Sequence, residues 1–286
     1  MPGILYVVAT PIGNLQDLTP RAAATFGSVD FIAAEDTRVT LKLLNHLGLK
    51  KPLVSYYEHN AAERGGVILQ RILAGESCAV CSDAGMPCIS DPGELLVRDA
   101  HAAGITVVPV PAASAAATAL AVSGQATGRW CFEGFLPVNR NQRRARLEGL
   151  RAEERTMIFY EAPHKLNTTL ADLCAAFGEE RSVTVCRELT KLHEEIFKTT
   201  LGEAARLYAQ QPPRGEFCLV LAGAPPKSTQ EEPPTLEAAA ELARQLAADG
   251  LTPSAACKQA AHRTGLPRGD IYQAFLQLRD GPDGQT

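Results

Sequence analysis

The feature that most constrains this chain is a regular alternation in its first half. Short, largely apolar runs at residues 4–9, 29–34, 78–81 and 105–110 are separated by longer amphipathic stretches, with Gly or Pro at several of the changes. Thr19-Pro20-Arg21 opens one such stretch with an N-cap Thr and Pro in the first helical position. Helical patterns around 39–47, 61–73 and 94–103 stop at Gly48, Gly75 and Gly104, and an Ala-rich helix spans 114–122. Strands that are apolar on both faces and separated by helices read as a mostly parallel sheet covered on both sides.

The second half has a different rhythm. Strand patterns at 130–135, 156–160, 182–186, 196–200 and 217–221 accompany helices near 141–150, 164–177 and 202–210. No helix separates 182–186 from 196–200, so this sheet is expected to be mixed. The organisation expected is an α/β domain over 1–123, a second α/β domain over 124–226 with a cleft between them, and a linker over 227–234. A helical module over 235–286 follows, with helices at 236–248, 254–264 and 268–278. Gly265-Leu266-Pro267 gives its last two helices helix-turn-helix spacing, with Leu246, Leu251, Ala255, Ile271, Tyr272 and Phe275 as its expected core.

At 286 residues with 45% hydrophobic and 21% charged residues, the chain has enough apolar material for a core, which excludes whole-chain disorder. Its longest apolar run, 112–122, is short of the roughly 20 residues of a membrane span. No charged-then-apolar leader opens it, so a cytoplasmic location is expected. Eight cysteines in that setting are read as buried thiols. Cys78 and Cys81 lie three apart on a strand, point to opposite faces and cannot clamp one metal; no metal site is expected.

The formal charge of −4 gives no global attraction to nucleic acid, so any such contact needs a local basic patch. Arg140, Arg143, Arg144 and Arg146, extended by Arg151, form a one-signed run and are expected to meet phosphates, with Lys165 nearby. Arg187 and Lys191 are either further cations of that cleft or internal ion-pair partners.

In open parallel sheets, ligands sit at the carboxyl ends of strands. Three turns there are rich in Gly, Pro, Ser and Asp: 9–14, 82–87 continuing to 93, and 110–115. None is a dinucleotide-binding GxGxxG or a phosphate-binding GxxxxGK[ST] loop, which argues against nicotinamide-dependent oxidoreduction and nucleotide hydrolysis. After the second strand, Glu35 and Asp36 stand beside Arg38, as a functional carboxylate pair or as caps of the next helix; His59 is a second polar candidate.

Read together, Val7-Val8-Ala9-Thr10-Pro11-Ile12-Gly13-Asn14-Leu15, Glu35-Asp36-Thr37-Arg38 and Ser82-Asp83-Ala84-Gly85-Met86-Pro87 are similar to the ribosomal RNA small subunit methyltransferase I family. Phe159-Tyr160-Glu161-Ala162-Pro163-His164-Lys165-Leu166, Arg187-Glu188-Leu189-Thr190-Lys191 and Gly215-Glu216-Phe217 extend the likeness. Each motif alone is weak; six in this order are specific.

The resemblance implies two α/β domains of the tetrapyrrole-methylase type, a homodimer, and S-adenosylmethionine held between the domains. It implies methylation of a cytidine ribose 2′-hydroxyl in the decoding region of small-subunit ribosomal RNA. Cofactor contacts fall on Pro11, Asp83, Gly85, Met86, Ser114, Ala115, Tyr160, Glu161 and Leu189. Glu35, Asp36 and Arg38 become the catalytic candidates. The chain departs from the family in having Ala112-Ala113 for Gly-Pro, acceptable if φ at the first Ala is negative, and Met86 for Thr. Two other readings compete: a tetrapyrrole methylase acting on a precorrin-type macrocycle, and a non-catalytic RNA-binding assembly factor.

Overall fold

The first ten strands and α-helices are β1 (Ile4–Val8), α1 (Pro20–Ser28), β2 (Phe31–Ala34), α2 (Thr37–His46), β3 (Leu53–Ser55), α3 (Ala61–Leu73), β4 (Cys78–Cys81), α4 (Gly93–Ala102), β5 (Thr106–Val110) and α5 (Ala115–Val122). They come from a computed structural model that describes residues 1–91, 93–225 and 235–280. The strands lie in the order β3-β2-β4-β1-β5, and every pair is parallel. β3 is the one strand the sequence pattern does not reveal, because three half-buried residues after Pro52 are too few to show a period.

Side chains alternate across this sheet as a strand requires. Cys78 and Val80 face a core with Ile68 and Ile72 of α3 and Leu96 of α4. Ala79 and Cys81 face the opposite core, with Phe26 of α1 and Leu43 and Leu44 of α2. Complete burial of Phe26 alone contributes about 1.5–3 kcal/mol. The two thiols therefore sit on opposite faces, and burial pushes both up, Cys81 to about 12.

The neighbours β1 and β4 lead into helices on opposite faces, α1 and α4. Their carboxyl ends consequently part, which opens a crevice at the topological switch point.

The second sheet is built from β6 (Trp130–Phe135), α6 (Arg140–Gly149), β7 (Thr156–Glu161), α7 (Pro163–Phe177), β8 (Ser182–Arg187), β9 (Glu195–Thr200), α8 (Leu201–Gln210) and β10 (Phe217–Leu221). Its order is β6-β7-β10-β8-β9, parallel at β6–β7 and antiparallel elsewhere, the mixed sheet expected. Met157, Phe159 and Leu219 face Leu147, Leu166, Leu170 and Ala204 of α6, α7 and α8. Ile158, Cys186 and Val220 face Ala116, Ala119 and Leu120, so α5, the last helix of the first half, packs on the second sheet. Both sheets belong to one compact unit, Met1–Ala224.

The second unit holds α9 (Leu236–Ala248), α10 (Pro253–Thr264) and α11 (Arg268–Asp280). Gly265, at φ +73°, ends α10 with its N–H on the Ala261 carbonyl, the left-handed cap that glycine adopts without steric cost. Ile271 and Phe275 are buried as expected, but Leu251 and Tyr272 are exposed. Ala239, Ala240, Ala243, Cys257 and Ala260 fill the core instead, because small residues let these helices approach closely. The expected linker at 227–234 lies outside the described residues.

Candidate active site

The turn after β1 and the turn after β4 are stitched together at the crevice. Thr10 N–H donates to the Gly85 carbonyl at 2.9 Å, and Gly85 N–H to the Thr10 carbonyl at 3.1 Å. Gly85 has φ +83°, a conformation that favours glycine, and a Cβ there would crowd Ile12 Cγ2 at 3.2 Å. Gly13 allows the other close approach: a Cβ on it would come within 3.1 Å of the Leu189 carbonyl, where the loop after β8 crosses. That loop holds Glu188 and Thr190 at positive φ. Glu188 Oε1 accepts from Lys191 Nζ at 2.8 Å and from Glu216 N–H at 2.9 Å, which fixes it and presents Leu189. The same contacts make Lys191 an internal ion-pair partner; Arg187 is another, on Glu195 at 2.9 Å.

Over this crevice lies a cleft of about 490 Å³. Eight of the nine residues expected at the cofactor line it: Asp83, Gly85, Met86, Ser114, Ala115, Tyr160, Glu161 and Leu189. The ninth, Pro11, lines an adjoining recess of about 230 Å³ that shares Ser82 and Asp83 with the cleft. The turn carrying Ala112-Ala113 keeps negative φ at both residues, so alanine is tolerated where the family has Gly-Pro. Tyr160 reaches from β7 to α5, its hydroxyl accepting the Ala116 N–H at 2.9 Å, and burial pushes it up to about 12. Glu161 is buried with both oxygens engaged, by the Ala162 N–H at 2.8 Å and the Thr169 hydroxyl at 2.5 Å.

The carboxylates divide by role. Asp36 caps α2, accepting the Arg38 N–H at 2.8 Å, and pairs with the Arg38 guanidinium, which holds its carboxyl down at about 2. Asp36 and Arg38 thus shape the start of α2, and only Glu35 of the three catalytic candidates lines the cleft. Desolvation raises Glu35 above the ordinary carboxylate value, with Asp83, Asp91 and Asp36 adding to it. Its Oε2 accepts the Asp83 N–H at 3.3 Å, while Asp83 Oδ1 accepts the Asp36 N–H at 3.0 Å. Asp83 is likewise raised, chiefly by desolvation.

Asp91, Phe135 and Ile12 also line the cleft, none of them singled out beforehand as site residues. Asp91 Oδ1 accepts the N–H groups of Cys88 and Gly93 at 2.9 and 2.8 Å, holding the turn in which Cys88 and Ser90 have positive φ. Its Oδ2 is buried without a hydrogen-bond partner among the described residues. The Asp-Pro-Gly turn was the available signal for Asp91; nothing local distinguishes Phe135. His59 is exposed and lines neither cavity.

Aromatic and aliphatic walls (Phe135, Tyr160, Leu189, Ile12) beside the carboxylates of Glu35, Asp83 and Asp91, the last with an oxygen unpartnered among the described residues, suit a ligand that is partly flat and carries positive charge. A nucleoside sulfonium such as S-adenosylmethionine has that character, so the residues present fit it.

The arginine run needs correction. Arg143 is buried: its Nε donates to Asp172 at 2.7 Å and its Nη1 to the carbonyls of Pro137 and Val138 at 3.2 and 3.0 Å. It is a structural tie between α6 and α7 and does not reach a phosphate. Arg146 pairs with Glu133 at 2.9 Å and Arg151 with Glu148 at 3.2 Å. Arg144 is exposed beside Asp172 at 3.6 Å; Arg140 is exposed and Lys165 half-buried. The acids that neutralise the run are far from it in sequence or on its own helix, so its one-signed look overstated the charge it presents.

Two family models match. Residues 4–205 match the tetrapyrrole (corrin/porphyrin) methylases, and residues 234–279 the RsmI C-terminal HTH domain. The chain is similar to the ribosomal RNA small subunit methyltransferase I of a Synechocystis species, 50% identical over 96% of this chain and 98% of the relative. It is 44% identical to that of Haemophilus influenzae, over 96% and 97%. Among solved structures it resembles diphthine synthase (TM-score 0.59, 12% identity, 77% of this chain and 90% of that one). It also resembles uroporphyrin-III C-methyltransferase of Thermus thermophilus in complex with S-adenosylhomocysteine (TM-score 0.56, 16% identity, 77% and 97%). At such identities the solved structures speak for the fold alone. The chain belongs to the tetrapyrrole methylase family and, within it, to the ribosomal RNA small subunit methyltransferases I.

Proposed function

We propose that this chain transfers a methyl group from S-adenosylmethionine to the ribose 2′-hydroxyl of a cytidine in the decoding region of small-subunit ribosomal RNA. The observation that carries this is the cleft at the β1/β4 switch point, walled by apolar rings and rimmed by Glu35, Asp83 and Asp91, in a chain of this family.

When bound, the cofactor supplies a methyl group on a positively charged sulfur, already activated for displacement. The chain's share is alignment and proton removal. Holding the sugar oxygen in line is worth roughly 7–11 kcal/mol when the geometry is fully enforced. We assign the proton to Glu35 Oε1, since Oε2 is taken by the Asp83 N–H. A carboxylate raised by desolvation is a better base than an ordinary one, and general-base help of this kind is worth about 10²–10⁴ in rate. Asp83 and Asp91 favour the positive sulfur, while Gly85, Met86, Ser114, Ala115, Tyr160, Glu161 and Leu189 shape the wall around it. Pro11 keeps the first turn in place beside them.

Arg140, Arg144 and Lys165 are the members of the basic set we assign to phosphate contact, with the exposed faces of Arg146 and Arg151 secondary. A cytoplasmic location agrees with this reading, and no helix among the described residues is long and apolar enough to cross a membrane. A homodimer is also part of it: Val138 and Leu192, 74% and 93% exposed, are apolar side chains that a second copy would cover. Sedimentation of the purified chain checks that point.

Labelled cofactor incubated with small subunits lacking the modification, and separately with a precorrin, tests the activity. Label in the ribosomal RNA is expected at a cytidine 2′-oxygen. Label in the macrocycle, or none despite cofactor binding, would overturn the proposal in favour of a tetrapyrrole methylase or a non-catalytic factor.

A further inference from the structure

We infer that the recess beside the cleft is the subsite for the base of the target nucleotide. This rests on the reading that the substrate is RNA. The recess, about 230 Å³, is walled by Pro11, Leu15, Val39 and Leu43, with Lys42 at its rim. Val39, Lys42 and Leu43 fall at i, i+3 and i+4, so one face of α2 forms one side and the first turn forms the other. Leu15 and Val39 are 48% and 37% exposed, large apolar side chains left open opposite one another.

A flat ring between apolar walls, with cations outside for the flanking phosphates, is how proteins hold a base drawn out of a strand. Lys42 is exposed at the rim, and Arg38 extends from the first turn of the same helix. The volume is below the roughly 300–1,000 Å³ of pockets for drug-sized ligands, which suits a single nucleobase and excludes a macrocycle.

Two hydroxyls in the recess already have partners within the protein. Thr10 Oγ1 donates to the Ser82 carbonyl at 3.2 Å, and Thr40 Oγ1 contacts Cys81 Sγ at 3.7 Å. The apolar walls consequently hold the base by stacking. Position supplies the link to chemistry: Ser82 and Asp83 border both cavities. A nucleotide whose base fills the recess brings its sugar to the Asp83 rim, where the methyl-donor cleft begins and Glu35 stands.

The test fills the recess. Val39→Trp, at a surface position of α2, is expected to lower kcat/KM on small subunits by about tenfold or more, with S-adenosylmethionine affinity within about twofold of the parent by calorimetry. Leu15→Trp, on the opposite wall, repeats the test from another element should Val39→Trp not fold. Lys42→Ala is expected to reduce the slope of log affinity against log salt by about one. Parental kcat/KM in a folded tryptophan variant overturns the subsite. So does a loss of cofactor affinity matching the loss of activity, which would make the recess part of the donor site. A parent that labels no RNA would instead refute the proposed function, an outcome read before any variant is made.

Discussion

Glu35 illustrates how one side chain's environment sets its use. Its neighbour Asp36 is spent on capping and on Arg38, while Glu35 turns into the cleft and is raised by desolvation. The folded chain therefore holds a proton on Glu35 more tightly than the unfolded chain does, and its contribution to stability falls as pH rises from 4.5 through the raised value. Glu35→Gln keeps an acceptor for the Asp83 N–H and removes the charge. It is expected to lower kcat by about 10²–10⁴. It should also raise Tm near neutral pH, a gain that disappears as pH falls toward 4.5. Paired pH–rate and thermal-melt profiles check both, and an unchanged kcat would remove Glu35 as the base. Asp83→Ala is expected to weaken cofactor binding severely with little effect on the fold; calorimetry giving the parental affinity would count against the cleft as the donor site. Protonating the raised carboxylates should also narrow the preference for S-adenosylmethionine over its neutral product as pH falls from neutral toward the ordinary carboxylate range, measurable by the same method.

Helix α6 shows what changes at the level of an element. Its sequence is strongly basic, but folding turns Arg143 inward onto Asp172 of α7, where their side chains are 10% and 11% exposed. Removing one partner of such a pair leaves the other charge buried and typically costs about 3–5 kcal/mol. Arg143→Ala is expected to show that loss in urea unfolding. Arg140→Ala with Arg144→Ala should leave stability within about 0.5 kcal/mol, as surface changes do. The pair should nevertheless weaken RNA binding and its salt dependence together. If the Arg143 variant is as stable as the parent, the internal tie is wrong. The run looked uniform because its partner Asp172 lies a full strand and helix away, and only packing of α6 on α7 brings them together.

At the scale of the molecule, the unit Met1–Ala224 contains both sheets and the whole cleft, and the three-helix unit has its own alanine-rich core. A chain ending at Ala224 is expected to unfold cooperatively and to bind cofactor within about twofold of the full chain, since the cleft and cores it needs are internal to it. Calorimetry and thermal melts of the truncated chain measure this, and a collapse of either would mean the helical module completes the fold. Much of the architecture was visible beforehand. Both sheets, nine of the ten strands among the described residues, and the helix-turn-helix spacing follow from periodicity and from caps such as Thr19-Pro20 and Gly265. The half-buried edge strand β3 was hidden by its length, and the module's core by its reliance on alanine rather than large apolar residues.

By itself the sequence determined the alternation of elements, the turns that end at the crevice, and the opposite facing of Cys78 and Cys81, because these depend on neighbours along the chain. Tertiary structure alone decided which carboxylate enters the cleft, that Asp91 joins it with a free oxygen, that α5 packs on the second sheet, and that Arg143 is buried. Desolvation and pairing are set by what arrives from distant segments, and no local pattern records it.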